Sequence, residues 1–397
     1  MMKKKTKLLI KDSFFSSILT SIIVLFLAIT FVNITFFNPF IKAFEDFDFL
    51  DMYYAENFGN SDEINTDIIL VNVQNNSRET IANMLEEILK EEPRVIGLDV
   101  IFKDLKDFYS DSLLASVLDN EKIITAYNYN DEVYQYSNPL LVKNNKQGFT
   151  EINFDQETYV MRNFRGIQTA MNETEHLSFA SQVVKHYLGD SYWSELKYDK
   201  KLRDINTIKY YGDYDSFQYL DSSDFFTSYD KKSGLKDKIV LLGFFGVPTG
   251  NHLNVEDLKW TPLNSRVTGK SLPDMFGVVI HANIINMLIK NDFIYRLSNF
   301  WLGIIMFLCM FFCTMYFIKI NKKYKISYRT RKRTFLFVFT VVLMGLALLL
   351  FKRGIILRPI PIIAVAILAG SYFKYYKHLV RYIKTKPKWK KWKTYMK

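Results

Sequence analysis

Six residues stand out as candidates for binding chemistry: Asn72, Gln74, Asp99, Gly243, Phe244 and His281. Asp99 is an acid inside the apolar run Arg94–Phe102. A carboxylate buried there needs a partner or a raised pKa, and a purely structural role, bonding to loop amides, is open beside a ligand role. Asn72 and Gln74 close another apolar run. Gly243-Phe-Phe-Gly246 followed by Pro248-Thr-Gly250 could turn backbone N–H groups toward an anion, or be a plain tight loop. His281 stands near the start of a helical segment, where it could touch a ligand, switch with pH, or be a satisfied half-buried residue. No Gly-x-Ser-x-Gly, His-Glu-x-x-His or Gly-x-x-x-x-Gly-Lys signature is present. The five histidines, at 176, 186, 252, 281 and 378, are scattered. No metal site and no cofactor are expected. An enzyme would require Asp99 and His281 to converge in one cleft.

Regular elements must position these residues. Asp67–Val73, Arg94–Phe102, Lys122–Tyr127 and Lys238–Gly243 are apolar runs of strand length. Between the first two, Ser77 can cap a helix whose Ile81, Met84, Leu85, Ile88 and Leu89 follow helical spacing until Pro93 ends it. Further helices are expected at Asp111–Leu118, Leu177–Leu188 and Phe276–Ile289. An antiparallel hairpin is expected from 148–154 and 159–164, and a strand near 205–211. Continuous apolar strands alternating with helices predict an α/β fold, a mostly parallel sheet with helices on both faces. Ligands of such sheets bind beyond the carboxyl ends of the strands, which places Asn72, Gln74, Asp99, Gly243 and Phe244 near one edge. The dense aromatic residues of 128–229 are read as core and sheet packing.

Charge divides the chain. Residues 38–296 hold 40 of its 41 acidic residues and 26 of its 52 Lys and Arg, a net charge of −14. The +11 of the whole chain therefore comes from its two ends, a membrane-topology pattern rather than a nucleic-acid face. Phe14–Phe37 is long enough to span a bilayer and reads as an uncleaved anchor after the cytoplasmic residues 1–13. Within 297–373, three more spans are predicted at Phe300–Ile318, Thr334–Phe351 and Ile355–Phe373, with a re-entrant hairpin over 334–373 as the alternative. This four-helix transmembrane part puts 1–13, the loop 319–333 and the tail 374–397 in the cytoplasm, carrying 5, 8 and 10 Lys and Arg. The turn at 352–358 carries three on the outside, where they can snorkel to headgroups. The Trp-containing basic tail reads as a segment drawn to anionic lipids. Cys309 and Cys313, the only cysteines, lie four apart on one face of an apolar helix and read as packing.

The order and wording of these elements resemble the CHASE2 family, an extracytoplasmic sensor domain, over Asp67 to Arg296. Pro93-Arg-Val-Ile-Gly-Leu-Asp-Val-Ile-Phe102 is similar to its "gp-x-x-igfD-x-x-f" strand, and Asp111–Ala126 to its following helix and strand. Val160-Met-Arg-Asn-Phe164 resembles its "d-G-v-x-R" turn and Leu235–Gly243 its "l-x-gkivliG" strand. Thr261-Pro262 and Gly277-Val-x-x-His281-Ala282 match its Thr-Pro and its Gly-Val-x-x-His-Ala helix start. The chain departs from the family at Asn72-Val73-Gln74, where the family has an acid. It departs again at Asn75-Asn76-Ser77-Arg78 in place of Trp-Pro-Trp-Arg, and at Phe276 in place of Pro. The resemblance implies a bacterial inner-membrane sensor with domain 38–296 outside and no catalytic role. Only 374–397 follow the last span, so an output domain is expected on a separate signalling or membrane partner. Outside, a small molecule or envelope component is expected; within the bilayer, membrane lipids; nucleic acid is not expected, and a homodimer is left open. The alternative is a structural or assembly protein of the envelope, which requires no ligand-sized pocket at the strand ends.

Overall fold

The apolar runs become strands of a single sheet because their side chains are apolar on both faces and must be covered on both. The computed structural model describes the chain apart from residues 1, 34–63, 131–132, 144–145, 153–159, 171–173, 226–233, 247–256, 265–271, 325–326 and 397. It separates into two units, 45–294 and 1–44 with 295–397.

In the first unit a seven-stranded sheet is built from β1 (Asn65–Asn72), β2 (Val95–Leu98), β3 (Ile123–Asn130), β4 (Val133–Gln135), β5 (Gln147–Phe149), β6 (Phe217–Asp221) and β7 (Ile239–Gly243). The order is β6-β1-β7-β2-β3, all parallel. The far edge of β3 is shared: β5 pairs with it in parallel over Thr125–Tyr127, and β4 antiparallel over Asn128–Asn130. The expected parallel α/β sheet is present, with β7 inserted between β1 and β2.

Two strand expectations are corrected. The 148–154 and 159–164 hairpin does not form among the described residues. Gln147–Phe149 instead fills the open edge of β3, and Asn163–Arg165 pairs antiparallel with Ile205–Thr207. The remainder of that hairpin, 153–159, lies outside the described residues. The strand expected over 94–102 stops at Leu98, so Asp99 stands one residue past its carboxyl end.

Four helices cover the sheet: α1 (Arg78–Lys90), α2 (Phe108–Leu118), α3 (Phe179–Leu188) and α4 (Gly277–Ile289). The Ser77 side chain caps α1 by accepting from the Thr80 amide, as its position predicts. Alternation along the strands divides the core. Ile69, Val71, Ile96, Leu98, Val240 and Leu242 cluster with Ile81, Met84, Leu85 and Ile88 of α1 and Leu114, Val117 and Leu118 of α2. On the other face α3 and α4 pack together. There a Cβ on Gly97 would lie 2.9 Å from the Phe179 ring and 3.2 Å from Val183, so glycine lets α3 approach β2.

Helix α4 is largely apolar, and residues 278–288 are all buried, with His281, Asn283 and Asn286 among them. Polar side chains tie it down: Asn65 Nδ2 donates to Asn286 Oδ1 at 3.0 Å, and Asn283 holds the 211–212 backbone. Asn283 Oδ1 accepts from the amides of Tyr211 and Gly212, and its Nδ2 donates to the Gly212 and Val279 carbonyls. Asn283→Ala should cost about 2 kcal/mol, because buried backbone groups at 211–212 lose their partners. Thermal unfolding checks this; an unchanged midpoint would show that water or a shifted loop satisfies those groups.

Among the described residues, the second unit contains four helices long and apolar enough to cross a membrane: Lys4–Leu27 within Met2–Asn33, then Asn299–Lys323, Tyr328–Lys352 and Pro359–Ile383. Residues 334–352 and 359–373 belong to two 25-residue helices joined by a short turn. The end of the expected anchor, 34–37, and the start of the expected domain at 38 lie outside the described residues. Ser13, Ser16, Ser17 and Thr20 are buried along one face of the first helix, small enough for neighbouring helices to approach closely. Cys309 is half-buried and Cys313 is buried among apolar residues, both as free thiols.

Asp12, the one acid before residue 38, is fully buried. It accepts from Thr394 Oγ1 and the Tyr395 amide, each at 2.6 Å. The Lys11 ammonium lies 4.0 Å from the centre of the Trp392 ring, and Lys322 donates to the Tyr395 carbonyl at 2.8 Å. The end of the basic tail therefore folds onto the helices, because Asp12 needs donors and the tail supplies them. Lys386, Lys388, Lys390 and Lys391 remain exposed. The turn after Lys352 is also tied down: Ile355–Ile356 pair in parallel with Tyr295–Arg296.

Candidate functional site

Strands β1, β7 and β2 all end at the same edge, and the loops that leave them enclose a cleft of about 920 Å³. Its wall includes residues 73–76 after β1, 99–104 after β2, Phe244 after β7 and the first turn of α4. Of the six candidate residues, Gln74, Asp99, Phe244 and His281 line the cleft, whereas Asn72 and Gly243 do not.

Asn72 organises the loop beside the cleft. Its Nδ2 donates to Asp221 Oδ1 at 3.0 Å and to the Gly246 carbonyl at 2.9 Å, while its Oδ1 accepts from the amides of Gln74 and Phe245. The Gly243–Gly246 loop therefore turns the Phe245 amide to Asn72 rather than to an anion. Pro248-Thr-Gly250 and His252 lie outside the described residues. Gly243 is a packing position: a Cβ there would lie 2.7 Å from Val278 Cβ. Glycine thus allows the start of α4 to sit against β7.

Gln74 has a left-handed backbone, with φ of 48°. Its Oε1 accepts from Ser222 Oγ at 2.8 Å, and its buried Nε2 has no partner among the described residues. His281 is 4% exposed, stands edge-on to Phe179 with ring centres 5.2 Å apart, and leaves Nδ1 without a partner among the described residues. Burial lowers its pKa to about 4. That shift favours the neutral ring.

Asp99 is half-buried, and its surroundings favour the protonated carboxyl. Desolvation, and then the nearby charge of Asp257, raise its pKa to about 7. The other charged residues lining the cleft are Arg78, Lys103, Asp104, Lys106, Glu151 and Lys259. A raised carboxyl pKa means the folded state holds a proton that the unfolded state releases above its ordinary value near 4. Stability is then lost as pH rises from about 4 to 7. Asp99→Asn should raise the unfolding midpoint at pH 7.5 and make no difference below about pH 4. Melting curves across that range check the sign; a lowered midpoint at pH 7.5 would show Asp99 to be a stabilising structural acid.

Several cleft residues escaped the sequence reading. Arg78 is 7% exposed and donates to Asp111 Oδ1 and to the Asp104 carbonyl, with its cation 5.6 Å from the Phe102 ring centre. Asp111 also accepts from the Lys106 amide at 2.7 Å. This ion pair holds the 99–107 loop that carries Asp99. The available signal was that Arg78 keeps the last position of the family's Trp-Pro-Trp-Arg element. Asp257 lies in the acidic loop before Thr261-Pro262. The Thr261 amide and hydroxyl both bond to the carboxylate of Asp274, so the Thr-Pro pair closes that loop.

Asp99 and His281 do converge in one cleft, as a catalytic reading requires. Among the described residues, however, no serine or cysteine lines it, and no carboxylate orients His281 Nδ1. No three His, Cys, Asp or Glu side chains lie close enough to hold a metal ion among the described residues. The arrangement suits recognition: an apolar wall of Phe102, Phe244, Ile152 and Met161, with a few polar groups left open.

Comparison with curated proteins and with solved structures finds no match. A family model described as the CHASE2 domain matches residues 61–316. That span is well over half of the chain and reaches from the first strand into the second membrane helix, so the protein belongs to the CHASE2 family of extracytoplasmic sensor domains.

Proposed function

We propose that this chain is a bacterial inner-membrane sensor that binds a small molecule in the strand-end cleft and signals through a separate partner. One observation carries the reading. Gly277, Val278 and His281 of α4 line the cleft, and only residues 290–298 separate the end of that helix from the membrane helix at Asn299. A ligand that prefers one position of the α4 start would bias whatever follows it, provided two states differ in ligand affinity. The 295–296 segment also pairs with the turn at 355–356, so a displacement there would reach two helix junctions.

The charge map supports an orientation with 1–13, 319–333 and 374–397 in the cytoplasm and the acidic domain outside. An assembly role calls for no ligand-sized pocket, and the cleft of about 920 Å³ speaks against it. The test is a thermal-shift screen of small molecules on the full-length chain in nanodiscs. A ligand that binds only the folded state raises the midpoint by mass action. The expected result is at least one compound whose shift is reduced by Phe244→Ala. If no compound shifts the folded wild-type protein, the sensor reading fails and the assembly role replaces it.

A further inference from the structure

The cleft presents two kinds of unsatisfied group, and the pairing of Leu258 with Phe276 brings Asp257 beside the start of α4. Asp99 and Asp257 both line it and repel one another. Neither forms an ion pair among the described residues, and Arg78, the buried cation nearby, is committed to Asp111. Two carboxylates without a third ligand suit an organic cation better than a metal ion, which needs more donors.

The start of α4 offers the opposite charge. This 13-residue helix begins after Phe276 with no side chain capping it. Gly277 and Val278 face the cleft, and first-turn amides have no acceptor within their own helix. Such an end favours negative charge. An independent observation points the same way: Nδ1 of His281, 4% exposed in the same wall, has no partner among the described residues. As a neutral ring it can donate a hydrogen bond from that nitrogen. Phe102 and Phe244 line the same cleft and suit the apolar part of a ligand rather than its charges.

We infer that the ligand is a small apolar α-amino acid or a close zwitterionic relative. Asp99 and Asp257 hold its ammonium, the first turn of α4 and His281 receive its carboxylate, and Phe102 and Phe244 pack on its side chain. This rests on the cleft being a ligand site. The ligand's ammonium would also complete the charge of Asp99, which burial and Asp257 disfavour in the empty domain. The carboxylate end would fall on the helix that leads to the membrane.

The test is calorimetric titration of the full-length chain in nanodiscs with the twenty standard amino acids. The best binder is then compared with its decarboxylated amine and its deaminated acid. The expected result is that an apolar amino acid binds, and that each truncated analogue binds about 10-fold or more weakly. Asp99→Asn and Asp257→Asn should weaken the amino acid by a similar factor and leave the deaminated acid unchanged. Asp257 is exposed, so its variant tests the claim without disturbing the core. Tightest binding by the amine, the acid or an uncharged compound, or amino-acid affinity indifferent to both substitutions, would overturn the zwitterion. It would leave the sensor reading intact if Phe244→Ala still weakened that binding. Absence of binding by amino acids and by every compound of the thermal-shift screen would remove both.

Discussion

Replacing Arg78 by leucine is expected to lower the stability of the extracytoplasmic domain by about 3–5 kcal/mol. The pair is nearly enclosed, with side-chain exposures of 7% for Arg78 and 10% for Asp111. Removing the guanidinium leaves Asp111 buried with, among the described residues, only the Lys106 amide as a partner, and it leaves the Asp104 carbonyl without its donor. An uncompensated buried charge is costlier than the pair was favourable. The double replacement Arg78→Leu with Asp111→Leu should therefore recover much of the loss. Chemical unfolding of the three variants, followed by the fluorescence of buried Trp193, checks this. A single variant that unfolds like the wild type would mean that the pair is hydrated and contributes little. The consequence reaches function, since the same pair holds the loop bearing Asp99 at the cleft.

The second large effect is expected at Gly148. A Cβ there would stand 2.5 Å from the Phe179 Cα, 2.7 Å from its amide nitrogen and 2.9 Å from the Ser178 carbonyl carbon. These are backbone atoms at the capped start of α3, and no side-chain rotation can relieve them. Gly148→Ala should cost about 3 kcal/mol, at the upper end of overpacking effects, because α3 or β5 must move. Gly303→Ala is the control: beyond its own helix backbone and its chain neighbours, no described atom lies within 4 Å of its Cβ position, and alanine is the better helix former. Equal midpoints for Gly148→Ala and wild type would show that β5 is free to shift. Residues 150–152 continue from β5 into the cleft wall, so a shift there would also alter binding.

Much of the architecture was legible because its signals are local. Unbroken apolar runs became β1, β2, β3 and β7, and Ser77 became a helix cap. The charge asymmetry agreed with four apolar helices. Strand order was not legible. Nothing in Ile239–Gly243 says that it lies between β1 and β2, because a strand apolar on both faces fits any central position. The hairpin was misjudged for a related reason: residues 147–149 pair with a strand some twenty positions earlier, whose free edge no local pattern announces.

The site was half legible. An acid in an apolar run and a histidine at a helix start were conspicuous, and both reached the cleft. Asn72 and Gly243 looked equally conspicuous, but one holds a loop and the other permits close packing. Arg78 and Asp257 were missed because their importance comes from contacts across the chain. Arg78 meets Asp111 from 33 positions away, and Asp257 stands beside Asp99 only after the sheet has formed.

The central claim, that occupancy of the strand-end cleft is felt by the helix leading into the membrane, is most directly tested by hydrogen–deuterium exchange. The full-length chain in nanodiscs would be compared with and without the best-binding compound. Slower exchange is predicted at 99–104 and in the first two turns of Gly277–Ile289, extending into 290–298. Protection confined to other surfaces of the domain, or binding that leaves 277–298 unchanged, would contradict it.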